Sequence, residues 1–276
     1  MLKILTLHWN NANKINLLYK SIIKYLIVDY EWYIKDNNSS DGSQELIKSW
    51  KDSRITLIEC NHNRDSFSLG MNILFNKANS KGDDYILLLN NDIIFNDCDS
   101  LLSMIDLIDN NNNIGVVGAR LLYPNTNILQ HAGVIMSEKY NYLPFHYRWK
   151  EKSDINSEKN RYFQSVTGAV MLTKSEYYEN ICTTNKSKIN GLDENYMFSF
   201  EDIDACFSIS EKFNKKIAYC GSTKIFHDES FSLNKNPVNK LFMAQNVKMF
   251  KDKWFGKYEL DYDKYLKDPS YNEIKG

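Results

Sequence analysis

Glu201, Asp202 and Asp204 stand in the run Met197-Phe198-Ser199-Phe200-Glu201-Asp202-Ile203-Asp204-Ala205-Cys206-Phe207, a short stretch that is otherwise largely apolar and aromatic. Carboxylates are rarely buried unless they are paired, bound to a metal or shifted in pKa, so the cluster requires a chemical partner. Asp92 offers one. It closes Tyr85-Ile86-Leu87-Leu88-Leu89-Asn90-Asn91-Asp92, a nearly continuous apolar strand whose end is a position from which oxygen ligands commonly hold a hard cation. The two acidic points read as the base and the metal ligand of one active site.

The elements that must position these groups alternate along the chain. Strands are expected at Leu2 to Leu7, Trp32 to Lys35, Ile55 to Glu59, Tyr85 to Leu89 and Val116-Val117, and helices at Lys14 to Ile27, Ser43 to Lys51, Leu69 to Ala78 and Leu101 to Ile108. This alternation predicts an α/β fold with a mostly parallel central sheet and helices on both faces. In such sheets ligands bind beyond the carboxyl ends of the strands, where Trp9-Asn10, Asp36 to Ser40 and Asn90 to Asp92 fall. Beyond Leu122 the pattern loosens into a turn at Pro124 to Asn127, then Gln130-His131-Ala132-Gly133 and a polar, aromatic stretch from Tyr140 to Arg161. Further strands are expected at Val166 to Leu172 and Lys216 to Tyr219, with a helix from about Asp202 to Phe213 between them. A last helix, Pro237 to Trp254, carries Met243, Val247, Phe250 and Trp254 on one stripe flanked by Lys240, Lys248 and Lys251. It reads as a lid packed on the protein or as a face resting on an anionic membrane surface.

Composition narrows the function classes. The chain has 276 residues, enough for one large domain or two small ones, and 34 basic against 35 acidic residues. A net charge of -1 gives no electrostatic reason to expect nucleic acid as a partner. Cys60, Cys98, Cys182, Cys206 and Cys220 lie far apart without a Cys-x-x-Cys, which argues for reduced thiols in the cytoplasm over a zinc site or disulfide framework. The N-terminal apolar run is too short for a signal peptide, and no stretch approaches the roughly 20 apolar residues of a membrane span.

Asp36-Asn37-Asn38-Ser39-Ser40-Asp41-Gly42-Ser43 follows a strand and enters a helix, with Asp41 as an expected N-cap and Gln44 closing a capping box. By itself that is a capped turn. Asp36 and Asn37, however, sit where they can hydrogen-bond a nucleobase imide or a ribose hydroxyl.

From Lys3 to about Ser230 the motifs resemble, in order, those of the family 2 glycosyltransferases with the GT-A fold. Thr6-Leu7-His8-Trp9-Asn10-Asn11 is similar to the family's opening strand motif, and Lys35 to Ser43 to its nucleotide-binding Val-Asp-Asn-x-Ser-x-Asp-Gly-Ser. Asn63 with Phe67-Ser68-Leu69-Gly70-Met71-Asn72 resembles Asn-x-Gly-Phe-Ala-x-Gly-x-Asn, with Asp65-Ser66 in place of a single Gly. Leu89-Asn90-Asn91-Asp92 looks like the Asp-x-Asp metal motif in the Asn-x-Asp form of rhamnosyltransferase-like members, and the neutral Asn90 weakens expected metal affinity. Gly118 to Pro124, Gln130 to Gly133 and Thr167-Gly168-Ala169 resemble segments lining the donor-sugar pocket, although His131 also reads as a structural histidine and Thr167 to Ala169 as a bulged strand. Asp193-Glu194 with Phe200 to Asp204 resembles Asp-Glu-x-Phe-Phe-x-x-x-Glu-Asp-x-Asp, which makes Asp202 the catalytic base and leaves Asp204 to pair with a basic residue or fix the loop. His227 falls where the family places a histidine on the metal or the diphosphate.

The resemblance implies a Rossmann-like GT-A domain over 1–230, with a nucleotide-binding half to about 122 and an acceptor half after it, followed by a helical extension over 231–276. It implies donor contacts from Thr6, His8, Asn10, Asp36, Asn37, Asn63, Gly70, Asn72, Asn90, Asn91, Thr167, Gly168 and Glu201, and Mn2+ or Mg2+ on Asp92 and His227. The implied reaction is an inverting transfer from a UDP- or dTDP-sugar to a hydroxyl of a glycan or lipid-linked glycan, in bacterial O-antigen or capsule synthesis. Two readings compete. A sugar-phosphate nucleotidyltransferase would carry a Gly-rich, Arg/Lys-containing loop, which Leu5 to Asn11 lacks, and an inactive sugar-nucleotide-binding protein is conceivable because of Asn90.

Overall fold

Within Tyr85–Leu89, Ile86 and Leu88 face one hydrophobic layer and Leu87 and Leu89 the other, all of them buried, as a central strand covered on both sides requires. The computed structural model describes residues 1–60, 65–197, 199–228 and 237–275, the side chains of 237–240 excepted. Its strands are β1 (Leu2–His8), β2 (Tyr30–Asp36), β3 (Ile55–Glu59), β4 (Tyr85–Leu89), β5 (Ile93–Phe95), β6 (Ile114–Leu122), β7 (Leu129–His131), β8 (Val134–Ser137), β9 (Leu143–His146), β10 (Arg161–Phe163), β11 (Val170–Lys174) and β12 (Lys216–His227). Its helices are α1 (Ala12–Tyr25), α2 (Ser43–Ser49), α3 (Phe67–Ala78), α4 (Asp99–Asp109), α5 (Ser175–Glu179), α6 (Glu201–Phe213), α7 (Pro237–Trp254) and α8 (Tyr262–Lys267).

The main sheet runs β10-β12-β6-β11-β4-β1-β2-β3, with β5 added to β12 and β7 to β6, while β8 and β9 form a separate antiparallel ribbon. β1 to β4 are parallel, β12 is parallel to β6, and β11 runs antiparallel between β4 and β6. This is the mostly parallel α/β sheet that the sequence predicts. α1, α2 and α4 cover one face, and α3, α5, α6 and α8 the other. A third apolar cluster joins Phe200, Ile203 and Phe207 of the α6 segment to Phe250 and Trp254 of α7, with Met243 and Val247 packed against it. The apolar stripe of α7 therefore lies on protein, and Lys248 points to solvent. No helix among the described residues is long and apolar enough to cross a membrane.

Several boundaries differ from the sequence reading for identifiable reasons. α1 starts at Ala12 because Asn11 adopts a left-handed conformation and Asp41 Oδ2 accepts the Ala12 N–H at 2.8 Å. Asp41 does not cap α2: Gly42 takes that position at φ 83, and Gln44 reaches Asp36 Oδ1 at 2.7 Å instead of closing a capping box. β12 extends to His227 across a register shift between Cys220 and Ile225 against β6. β11 begins only at Val170, because the Thr167–Ala169 segment directs its polar groups to Asp202 and Asn90. Asp65-Ser66 has a structural role: Ser66 caps α3 by accepting the Leu69 N–H, and Asp65 pairs with buried Lys35 at 2.7 Å.

Four expected donor contacts are turned into this frame. Thr6 Oγ1 accepts the Trp32 indole N–H at 2.9 Å. Asn37 donates to the Asp65 carbonyl at 2.9 Å and accepts from Lys35 at 3.0 Å. A Cβ on Gly70 would stand 2.6 Å from a Leu7 methyl, so its bare backbone lets α3 close on β1. Asn72, fully buried, donates to the Leu192 carbonyl and Glu194 and accepts from Tyr178 and the Leu192 N–H. With its amide fully engaged, Asn72→Ala is expected to destabilise the fold by about 2–3 kcal/mol, since buried partners lose their bonds together. Urea unfolding measures this, and an unchanged midpoint would show the network to be dispensable.

Candidate active site

β1 and β2 end side by side, with His8 in register with Asp36, and β4 ends next to β1, so three loops open on one edge of the sheet. His8 Nδ1 accepts from Asn91 Nδ2 at 2.8 Å, which leaves the proton of the neutral ring on Nε2. Burial holds the His8 imidazole below its ordinary pKa, against the opposing charges of Asp36 and Asp41. Asp36 Oδ1 accepts from Ser39 N–H and Gln44, fixing the carboxylate. His8 Nε2 and Asp36 Oδ2 are both buried without a hydrogen-bond partner among the described residues. A donor and an acceptor thus lie buried and unsatisfied at the adjoining ends of β1 and β2. Asn10 joins the two loops: its backbone N–H donates to Ser39 Oγ, and its side-chain Oδ1 accepts from Ser40 N–H. Asn63 lies outside the described residues.

Beyond β4 the chain reaches the acidic residues. Asn90 N–H donates to the Ala169 carbonyl at 2.9 Å, which joins the Asn90–Asp92 loop to the Thr167–Ala169 segment. Gly168 N–H in turn donates to Asp202 Oδ2 at 2.7 Å, and Ile203 N–H to Oδ1 at 2.8 Å. A Cβ on Gly168 would lie 3.1 Å from that of Asp202, so a side chain there would push the two segments apart by a few tenths of an ångström. Burial raises the Asp202 carboxyl above the ordinary range, against these two N–H groups, and Glu201 is raised by burial and by the charge of Asp202 beside it. The residues immediately before them, Ser199 and Phe200, have φ values of 67 and 74, a strained conformation held by the buried Phe200 ring. A carboxylate so held and raised can accept a proton from a bound hydroxyl.

The pairing of β5 with the end of β12 places His227 opposite Ile93, and Asp228 N–H donates to the Asp92 carbonyl at 3.0 Å. This brings His227 Nε2 within 3.2 Å of Asp92 Oδ1. Adjacent ligands on a divalent cation at about 2.1 Å stand about 3 Å apart, so the pair fits a cation's coordination edge. Mixed imidazole and carboxylate donors suit Mn2+ better than the all-oxygen preference of Mg2+. Among the described residues no third His, Cys, Asp or Glu completes a cluster.

Asp202, Asn90, Thr167 and His227 share the floor of a cleft of about 460 Å³. Its walls are apolar: Leu143 and Phe145 from β9, Phe200 and Ile203 at α6, and Met243 and Val247 from α7. Gln130 also lines it, with a buried carbonyl oxygen that has no partner among the described residues. Asp204 turns away from the cleft to Lys253 at 2.8 Å and the Trp254 indole at 2.7 Å, as a residue that pairs with a cation and fixes the loop would. His146 and the β9 wall escaped sequence reasoning, because the only signal was a four-residue alternation inside a polar, aromatic stretch.

A family model described as glycosyl transferase family 2 matches residues 4–177. Two solved structures share the fold. GalNAc-T7 with UDP, GalNAc and Mn2+ is 12% identical, with a TM-score of 0.66 over 98% of this chain and 58% of that one. The mannosyltransferase PcManGT from Pyrobaculum calidifontis, in complex with GDP-Man and Mn2+, is 13% identical, with a TM-score of 0.61 over 96% of this chain and 69% of that one. This chain thus spans less than two thirds of the length of GalNAc-T7. No curated protein matches the sequence.

Proposed function

Because the chain belongs to glycosyl transferase family 2, we propose that it transfers a sugar from a nucleoside diphosphate sugar to a hydroxyl of a glycan acceptor, with inversion at the anomeric carbon. The observation that carries this reading is the shared cleft floor, where Asp202 stands with Asn90 and with His227, the partner of Asp92. His8 and Asp36 take the nucleoside at the sheet edge, Asn10 and Asn91 hold their loops in place, and Thr167 and Gly168 border the sugar. Thr6, Asn37, Gly70 and Asn72 serve the reaction indirectly by fixing that edge.

In the reaction, Asp202 accepts the proton of the acceptor hydroxyl as its oxygen bonds to the anomeric carbon. The bond from that carbon to the diphosphate breaks, and the electron pair leaves with the nucleoside diphosphate. Gly168 N–H keeps the carboxylate aimed, and burial keeps its basicity high. Asp92 and His227 would hold a divalent cation, which when bound would neutralise charge on the leaving diphosphate. One carboxylate then suffices, unlike the two of glycoside hydrolysis. By the same resemblance, we take the chain to be rhamnosyltransferase-like, the donor to be a UDP- or dTDP-sugar and the product to be bacterial surface polysaccharide. α7 roofs the acceptor side, where a glycan or lipid-linked glycan enters from the cytoplasmic side of the membrane.

Thermal shift tests the donor site. With UDP, dTDP or GDP together with Mn2+, the melting temperature is expected to rise by several degrees, since 100-fold saturation contributes about 2.7 kcal/mol. Asp92→Ala is expected to lose the Mn2+-dependent part of the shift. An equal shift in that variant removes Asp92 from the metal, and no shift with any nucleotide removes the donor reading.

A further inference from the structure

His131 and His146 come from different sheets, β7 of the main sheet and β9 of the ribbon, yet their Nδ1 atoms lie 2.8 Å apart with the rings at 90°. His131 is fully buried, and its Nε2 faces the Thr167 N–H at 3.4 Å. A backbone N–H can only donate, so His131 Nε2 carries no proton and the ring's proton sits on Nδ1. That proton is directed at His146 Nδ1, which must then be the acceptor. A histidine whose Nδ1 accepts holds its own proton on Nε2, the ring's remaining polar atom, and His146 is one of the residues that line the cleft. The chain of donors runs one way, from the Thr167 backbone through His131 to His146.

We propose that this pair is a tautomer lock that presents His146 Nε2–H as a fixed, uncharged donor to a sugar hydroxyl oxygen bound in the cleft. Neither ring can become a cation without losing the bond it accepts, so the lock also keeps positive charge away from the cleft floor. Burial acts in the same direction, lowering His131 well below the ordinary histidine range and His146 to about 4. A neutral donor recognises a hydroxyl without attracting the diphosphate, which separates sugar recognition from phosphate binding. The assignment of the ligand as a sugar rests on the glycosyl-transfer reading, whereas the tautomers do not.

Histidine-labelled full-length protein, followed by long-range proton–nitrogen correlation spectra, reads the tautomers directly. His131 is expected as the Nδ1–H form and His146 as the Nε2–H form, both unchanged between about pH 5.5 and 8, where an ordinary histidine titrates. A protonated Nδ1 on His146, or titration of either ring in that range, overturns the lock. The recognition role is read from His146→Leu against His146→Gln, using the UDP-, dTDP- or GDP-linked hexose that gives the largest thermal shift and its bare nucleoside diphosphate. Loss of one hydrogen bond in the Leu variant is expected to weaken binding about 10-fold, with partial recovery by Gln and bare nucleotide affinity unchanged. A loss confined to the sugar nucleotide assigns the hydroxyl to the transferred sugar, and a loss confined to acceptor KM assigns it to the acceptor. No change in either overturns the recognition role. If no sugar nucleotide binds the unaltered protein, the transfer reading fails while the spectra still decide the lock.

Discussion

Asp202→Asn is expected to lower kcat for transfer by about 1,000-fold while leaving nucleoside diphosphate affinity within about twofold, since general base catalysis contributes 10²–10⁴. The carboxylate is aimed by Gly168 N–H at 2.7 Å and lines the cleft, whose lining includes neither His8 nor Asp36, so its loss should remove proton acceptance and spare the nucleoside. An amide can accept only one of the two N–H bonds, from Gly168 and Ile203, that the carboxylate accepts, so the variant is read against its own melting temperature. Burial places the Asp202 pKa above the ordinary value of 3.8. The rate of the unaltered enzyme should therefore fall as pH drops through that raised pKa. For stability the sign is opposite. Between the ordinary and the raised pKa the folded chain keeps a proton that the unfolded chain has lost, so stability declines as pH rises across that window, and the Asn variant should lack this component. Single-turnover kinetics and melting curves against pH measure both. Full activity in the variant would take Asp202 out of the chemistry.

Asp204→Ala is expected to destabilise the protein by about 3 kcal/mol, the lower end of what breaking a buried ion pair does, because Lys253 is 39% exposed and can turn to water. Asp204 is buried under α7, accepts the Trp254 indole N–H at 2.7 Å and the Tyr196 hydroxyl at 3.3 Å, and meets Lys253 at 2.8 Å. Its truncation leaves the indole N–H without an acceptor at the point where α7 is fastened to α6. The same helix carries Met243 and Val247 into the cleft wall, so loosening it should open the acceptor side as well. Asp204→Asn retains an acceptor for Trp254 and should lose less. Urea unfolding followed by tryptophan fluorescence, with limited proteolysis in α7, tests this. An unchanged midpoint would mean that the aromatic contacts of Phe250 and Trp254 hold the helix unaided.

The two acidic residues with similar sequence surroundings illustrate what could be read in advance. Asp202 and Asp204 differ by two positions, and a helix turns such neighbours to different sides, one toward Gly168 and the cleft and the other toward α7. The acidic run announced a site, but only packing assigned a direction to each carboxylate. The same distinction separates Asp36, whose second oxygen has no partner among the described residues, from Asn37, whose amide is bound to Asp65 and Lys35.

By itself the sequence determined the alternation of strands and helices, the parallel sheet, and the gathering of polar residues at the carboxyl ends of β1, β2 and β4. These follow from local periodicity and strand direction, which neighbouring residues encode. The tertiary structure alone decided the contacts between distant segments: His227 on Asp92 through the β5–β12 pairing, Gly168 on Asp202, and His131 on His146. Each depends on register, bulges and crossovers that bring remote chain together, and a polar side chain's role is settled only by which partners it finds there.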